Sequence, residues 1–500
     1  MTLSIDITNI KDSRGRKWDM TRPGDFQWII DNGLEVDLPA DDRITGHPLI
    51  VYFQADNNYF FSDDKNQIPV KRPTLLFNFF IPTSGWIEID EYERYAENWR
   101  FRTQQVDFLI SFFEHWEHFK DYNLAIGFCD ESPMLTELVE QLYDCMNLYG
   151  IPKDRVMMYG QNFLGQAEIN KFCKERKEVP IRYIVRWHMT GHIDGMQVKE
   201  GISHDYETNK FTYNDVNNYN QIKKYPLAFL NRRPSMARTC LLWGLFNNGV
   251  YSQDIKSISA FPPLKFFKAG KTKEDYINEL VSHDYLGHIL HKYQPNLLPT
   301  LNHESIESFK TNMRVGKSVP GDHDYIGDIE SQTVPFNKDF YVWLTCETVA
   351  DLKEPNLFYT EKILKPMVNG QALIVFSQQH FLQRFKKLGF HTLGPEFGIN
   401  EGYDDEHDDQ IRMKMVIEEA TKIAKMDLNE LHERWQDCKE KIKENKIRVH
   451  AMREESIDSI NHFIRAINKP HNMDSIFKFN VNSVLYKYQK SVNINTYEDN

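Results

Sequence analysis

The densest group of chemically capable residues is the run F-Y-T-E-K-I-L-K-P-M-V-N-G-Q-A-L-I-V-F, from Phe358 to Phe376. Thr360 can cap a short helix whose first turn holds Glu361 and Lys362, Gly370 can end it, and Ala372 to Phe376 reads as the strand that follows. A helix N-terminus offers N–H groups and the positive end of a dipole, which suits an anion such as a pyrophosphate, and Lys362 adds a full charge there. Glu361 is a poor phosphate ligand but a good acceptor for ribose hydroxyls, so the pair suits a nucleotide better than a bare phosphate. Pro366 lacks the N–H that an interior helical position uses and predicts a kink. The same residues also fit the first turn of an ordinary surface helix, and composition alone favours that plainer reading.

These residues need a scaffold, and the spacing of apolar runs predicts one. Short apolar stretches at 75–81, 124–128, 156–159 and 181–187 alternate with helical patterns at 103–119 and 134–149. That order predicts a parallel sheet with flanking helices. A second set begins near Pro226, with strands at 227–230, 340–344 and 372–376 and helices at 235–246 and 411–425. The expectation is an α/β chain in which two similar halves leave a cleft between them, with ligands beyond the carboxyl ends of the strands. Apolar residues at helical intervals from Leu428 to Lys469 predict one or two long outer helices packing back on the core. The expected domains are thus 1–225, 226–427 and 428–500.

Composition narrows the classes. The 500 residues are 41% apolar and 26% charged, enough for a sizeable core and too apolar for a disordered chain. Subtracting 72 acidic from 60 basic side chains gives −12, so a phosphate site has to be local. Six scattered cysteines without a C-x-x-C pair fit a reduced, cytoplasmic setting. No apolar run is long enough to span a bilayer, and the N-terminus lacks the pattern of a secretory signal.

The 358–376 segment resembles the donor-binding element of α1,3-fucosyltransferase-like glycosyltransferases, where a T-E-K tripeptide opens a helix, a Gly ends it and a strand follows. It is closer still to bacterial and phage glycosyltransferase-like proteins with a T-E-K-x-x-K-P-x-x-x-G-Q-x-x-I-V pattern. Thr360, Glu361, Lys362, Lys365, Pro366, Gly370, Gln371, Ile374 and Val375 match it, which makes the proline part of the pattern. In the same group an acidic residue follows a strand where W-L-T-C-E-T puts Glu347, and F-L-Q-R-F-K-K-L-G-F (Phe381 to Phe390) matches the next helix. A further likeness lies in F-L-N-R-R-P-S-M-A-R-T-C-L-L-W-G-L, from Phe229 to Leu245. Carried over by position, Arg238 falls where these enzymes place a pyrophosphate-binding arginine, whose guanidinium can hold two phosphate oxygens. Asn231, Arg232 and Arg233 could line the same turn, which otherwise reads as a solvated basic turn.

The likeness covers Pro226 to about Lys425 and touches the first half only in Y-G-I-P-K-D-R-V-M-M-Y-G-Q-N, from Tyr149 to Asn162. It implies a GT-B fold, two facing Rossmann-like domains with the nucleotide-sugar held by the second. It further implies no bound metal and no cofactor beyond the nucleotide-sugar co-substrate. An inverting transfer needs a base on the first domain. Asp130 and Glu131, after the strand at 124–128, are the first candidates, although Asp130 or Ser132 would equally cap the next helix. His188, with His192 four residues on, could serve as base or acceptor contact.

A metal role for His188 and His192 lacks a third ligand. The runs with His283, Asp284 and His288 and with Asp322, His323 and Asp324 read as solvated loops. The acidic run Asp404 to Asp409 lacks calcium-loop spacing and reads as the acidic N-terminus of the helix at 411–425.

The expected function is therefore transfer of a sugar from a nucleotide-sugar to a hydroxyl. Likeness to phage sequences suggests hydroxymethylated bases of duplex DNA as acceptor. Lys71, Arg72, Arg94, Arg100, Arg102, Lys174, Arg176 and Lys177 would then bind backbone phosphate, against a net charge of −12. A glycan or lipid-linked saccharide is the rival acceptor, and a non-catalytic binding protein on the same fold is the alternative from another class.

Overall fold

The computed structural model describes residues 51–53, 74–79, 113, 116, 123–128, 136–185, 202–205, 210–213, 217, 219–231, 235–251, 256–259, 275, 277–278, 281–313, 339–347, 357 and 359–452. These form two separate, largely parallel sheets with helices, as expected for an α/β chain.

The first sheet runs in sequence order: β1 (Val51–Phe53), β2 (Thr74–Phe79), β3 (Asn123–Phe128), β4 (Val156–Gly160) and β5 (Arg182–Val185). Only β1 is antiparallel to its neighbour; β2 to β5 are parallel, with Leu124 opposite Val156 and Met158 opposite Tyr183. Between β3 and β4 lies α1 (Thr136–Leu148), and between β4 and β5 lies α2 (Gly165–Arg176). The helix expected over 103–119 falls outside the described residues except for Phe113 and Trp116, which are both helical and buried. A hairpin, β6 (Ile202–Asp205) with β7 (Lys210–Tyr213), stands apart from both sheets and has no counterpart in the apolar spacing.

The second sheet is wholly parallel and its order is not sequential. It contains β8 (Tyr225–Asn231), β9 (Lys256–Ser259), β10 (Phe340–Cys346) and β11 (Ala372–Phe376), arranged β11–β10–β8–β9. The chain lays β9 on one side of β8 and then crosses to lay β10 on the other, so the strand order reverses between β8 and β10. Beyond the carboxyl ends of strands at such a reversal, diverging loops leave a crevice. All residues of β10 and β11 are buried, which explains why both read as continuous apolar runs rather than alternating ones.

Four helices of this half are α3 (Met236–Asn247), α4 (His283–Tyr293), α5 (His303–Asn312) and α6 (Glu361–Asn369); α6 packs on β10 and β11, and α4 and α5 pack on α3. α3 is buried from Met236 to Leu245. Its Gly244 lies so close to the next layer that a Cβ there would sit 2.4 Å from the Ile417 side chain. α7 (Phe381–Lys387), α8 (Asp409–Ala424), α9 (Leu428–Asp437) and a helix over residues 439–452 complete this half.

The long helical stretch expected from Leu428 is thus two helices broken at Cys438, and its described part packs on the second sheet. The Trp435 indole N–H donates to the Gly370 carbonyl at 2.7 Å. Asn445, fully buried, accepts from the His391 amide at 2.8 Å and donates to its carbonyl at 2.7 Å. The link before β8 belongs to the same unit. The Tyr219 ring lies 4.5 Å from that of Trp435, and the Lys223 amide donates to the Tyr341 hydroxyl at 2.9 Å.

The acidic run divides its work differently from expectation. Asp408 caps α8, accepting from the Gln410 and Ile411 amides. Asp404 instead is buried and serves another helix, with one carboxylate oxygen on the Leu382 amide and the other on the Gln383 amide, both at 2.8 Å. Linear spacing pointed to the nearest downstream helix, whereas the short helical turn over Glu401–Asp405 folds Asp404 back onto α7.

Candidate functional site

The carboxyl ends of β8 and β10, at the strand-order reversal, gather several residues that the sequence singled out. β8 feeds α3, whose N-cap Ser235 accepts from the Arg238 amide at 3.3 Å. From this first turn the Arg238 side chain, only 8% exposed, reaches the carboxyl end of β10. There its Nε and Nη2 donate to the Cys346 carbonyl at 3.3 and 3.1 Å. The next residue, Glu347, is 3% exposed, and its amide donates to the Phe376 carbonyl at the end of β11.

Glu347 joins this group to α6. The Thr360 hydroxyl lies 3.1 Å from one Glu347 carboxylate oxygen and 3.2 Å from the other, so its single proton is shared between them. The same hydroxyl oxygen accepts from the Lys362 amide at 3.2 Å, the N-cap bond expected of Thr360, and from Lys362 Nζ at 3.4 Å. Lys362 is half-buried at the helix mouth. Gly370 ends α6 in the left-handed conformation, at φ 65°, and the helix continues through Pro366 to Asn369. An unbroken series, Arg238–Cys346–Glu347–Thr360–Lys362, therefore crosses the switch point and links the N-terminal turns of two helices.

Two guanidinium nitrogens facing a backbone carbonyl give Arg238 a fold-holding role that the sequence did not suggest. They staple α3 to the end of β10. Burial, with the Cys346 thiol beside it, pushes the neighbouring Cys240 thiol well above its ordinary range. Cys145, Cys173, Cys240, Cys346 and Cys438 are all buried, and none is in a disulfide among the described residues.

Of the other candidates, Asn231 ends β8, and Glu361 begins α6. Arg232, Asp130, Glu131 and His188, with Arg233, His192 and the run of Asp322, His323 and Asp324, lie outside the described residues. His283 and Asp284 sit in the exposed first turn of α4, 3.8 Å apart. Among the described residues no group of three or more His, Cys, Asp or Glu side chains could hold a metal ion.

The sequence missed the way the first sheet reaches this site. Asn162, just beyond the carboxyl end of β4, is 1% exposed and accepts from the Leu357 amide at 3.0 Å, while the Phe163 amide donates to the Leu357 carbonyl at 2.8 Å. A polar residue between a strand and the apolar pair Phe163 and Leu164 was the only available signal.

Comparison of the chain with protein-family models, with curated proteins and with solved structures finds no match. Among the described residues, no helix is long and apolar enough to cross a membrane.

Proposed function

We propose that the protein is a nucleotide-sugar-dependent glycosyltransferase of GT-B type, with the donor diphosphate at the crevice between β8 and β10. The observation that carries this reading is the Arg238–Cys346–Glu347–Thr360–Lys362 series at the strand-order reversal. It ties the first turns of α3 and α6 and the Lys362 ammonium into one hydrogen-bonded series, and helix N-termini beside a cation suit a diphosphate. The T-E-K resemblance adds the nucleotide-sugar.

In the proposed reaction a base takes the proton of the acceptor hydroxyl, with Asp130, Glu131 and His188 as candidates. The oxygen attacks the anomeric carbon, the bond from that carbon to the diphosphate oxygen breaks, and its electron pair leaves with the diphosphate. Lys362 and the first turn of α6 neutralise the charge that develops, and no metal is required. Arg238 helps by fixing the first turn of α3. Glu361 is the candidate for the ribose, Asn231 and Arg232 are further candidates for nucleotide contact, and Glu347 orients Thr360.

A panel of nucleotide-sugars, assayed with hydroxymethylated duplex DNA and with glycan acceptors, tests the assignment. Turnover should appear with one donor class, and Lys362→Ala should lower kcat by about 100-fold, the size seen when one charge-stabilising donor is lost. Transfer to DNA selects the nucleic-acid acceptor, and transfer to a saccharide selects the rival. Tight acceptor binding without turnover of any donor replaces the enzyme with a binding protein. Wild-type rates in Lys362→Ala remove the donor site from α6.

A further inference from the structure

We infer that Asn162 is a positioning residue through which the first sheet holds the Thr360 end of α6 in place. The inference rests on the proposed function only for its consequence in nucleotide binding.

The turn after β4 is anchored to its own half. Gly165, the first residue of α2, is pressed against β5, so that a Cβ there would lie 2.4 Å from the Tyr183 ring. Within that turn the Asn162 side-chain oxygen accepts from two amides, Leu164 and Leu357, each at 3.0 Å. The first bond is local, whereas the second spans 195 residues. With the bond from the Phe163 amide to the Leu357 carbonyl, both backbone groups of Leu357 are held by the first half. Asn162 Oδ1 thus stands where a strand carbonyl would stand, and together with the Phe163 amide it forms a two-bond bridge to Leu357 without a sheet.

Leu357 lies three residues before Thr360, a reach of about 10 Å at most. The intervening Tyr359 is pinned on both sides, its ring 5.8 Å from Phe163 in the first half and 5.2 Å from Phe381 in the second. Phe163 and Leu164 also belong to the contiguous core that contains β8, β10 and β11. A shift of the β4 turn is therefore passed along a short, packed segment to the hydroxyl that contacts both Glu347 and Lys362. The two halves meet at the segment that leads into the anion site, so the setting of that site depends on the first sheet.

Hydrogen exchange read by mass spectrometry separates this role from a local one. Asn162→Ser keeps a short acceptor for the Leu164 amide but cannot reach Leu357, and Asn162→Asp keeps acceptors for both. In Asn162→Ser, peptides covering 357–364 should exchange about tenfold faster, the size that loss of one hydrogen bond gives. Peptides covering 372–376 should be unchanged, and Asn162→Asp should restore the wild-type pattern. Affinity for UDP, GDP or CDP, whichever the wild type binds, should fall about tenfold in the Ser variant and recover in the Asp variant. Faster exchange confined to 160–166 overturns the inference, because the residue then serves only its own turn. Equal acceleration at 357–364 and 372–376 also overturns it, since Asn162 would then be an ordinary core residue. A wild type that binds none of the three nucleotides counts against the transferase reading, and the exchange pattern still decides the role of Asn162.

Discussion

Replacing Thr360 by valine removes one hydroxyl and leaves the shape of the side chain nearly unchanged. That hydroxyl serves two partners, donating to the buried Glu347 carboxylate and accepting from the Lys362 amide. Loss of an N-cap costs about 1 kcal/mol, and loss of a hydrogen bond to a charged, buried group costs about 1.5 to 3 kcal/mol. The methyl group gained offsets up to about 0.8 kcal/mol of this. The expected net destabilisation is about 2 to 3 kcal/mol, read as a lower urea midpoint at unchanged slope. Thr360→Ser keeps the hydroxyl and should lose less than about 1 kcal/mol. Combining Thr360→Val with Glu347→Gln closes a double-mutant cycle, which should show a coupling of about 1 to 2 kcal/mol. Additive effects, or a serine variant as unstable as the valine variant, would refute the pairing on which the site is built.

Two further perturbations test neighbouring parts of the account. Asp404→Ala removes the acceptor of two backbone amides at the start of α7 and should destabilise by about 2 to 3 kcal/mol in urea unfolding, whereas loss of a surface carboxylate would change little. Burial pushes the Glu168 carboxyl above its ordinary 4.5, although Lys171 and Arg384 pull it back in part. The folded state therefore holds the proton more tightly than the unfolded chain, so stability is fully present below about pH 4.5 and declines as pH rises through the folded value. Glu168→Gln, which stays neutral, should raise Tm at pH 7 and leave it unchanged at pH 4; the opposite pH dependence would contradict the burial argument.

The parts of the fold legible in the sequence are those where burial and local chemistry agree. β11 appears over 372–376 as its run of five apolar residues predicts, because this parallel strand, although at the edge of its sheet, is buried along its whole length. Thr360 caps the helix it was expected to cap, since an N-cap bond spans only two or three residues. What was not legible depends on distant partners. β9, K-S-I-S, carries too little apolar character to stand out, and its place comes from pairing with β8. Asp404 looked like part of the α8 cap because its true partners lie 21 and 22 residues upstream. The site shows the same division: Arg238 and Lys362 announce positive charge, but nothing in one dimension tells that Arg238 lies on the Cys346 carbonyl, 108 residues away.

A crystal structure of the protein with a bound nucleoside diphosphate tests the central claim most directly. The diphosphate should lie at the N-terminal turn of α6, with an oxygen in hydrogen-bond reach of Lys362 Nζ and its other end toward the first turn of α3. A diphosphate bound elsewhere on the protein, with the crevice between β8 and β10 left to solvent, would contradict it.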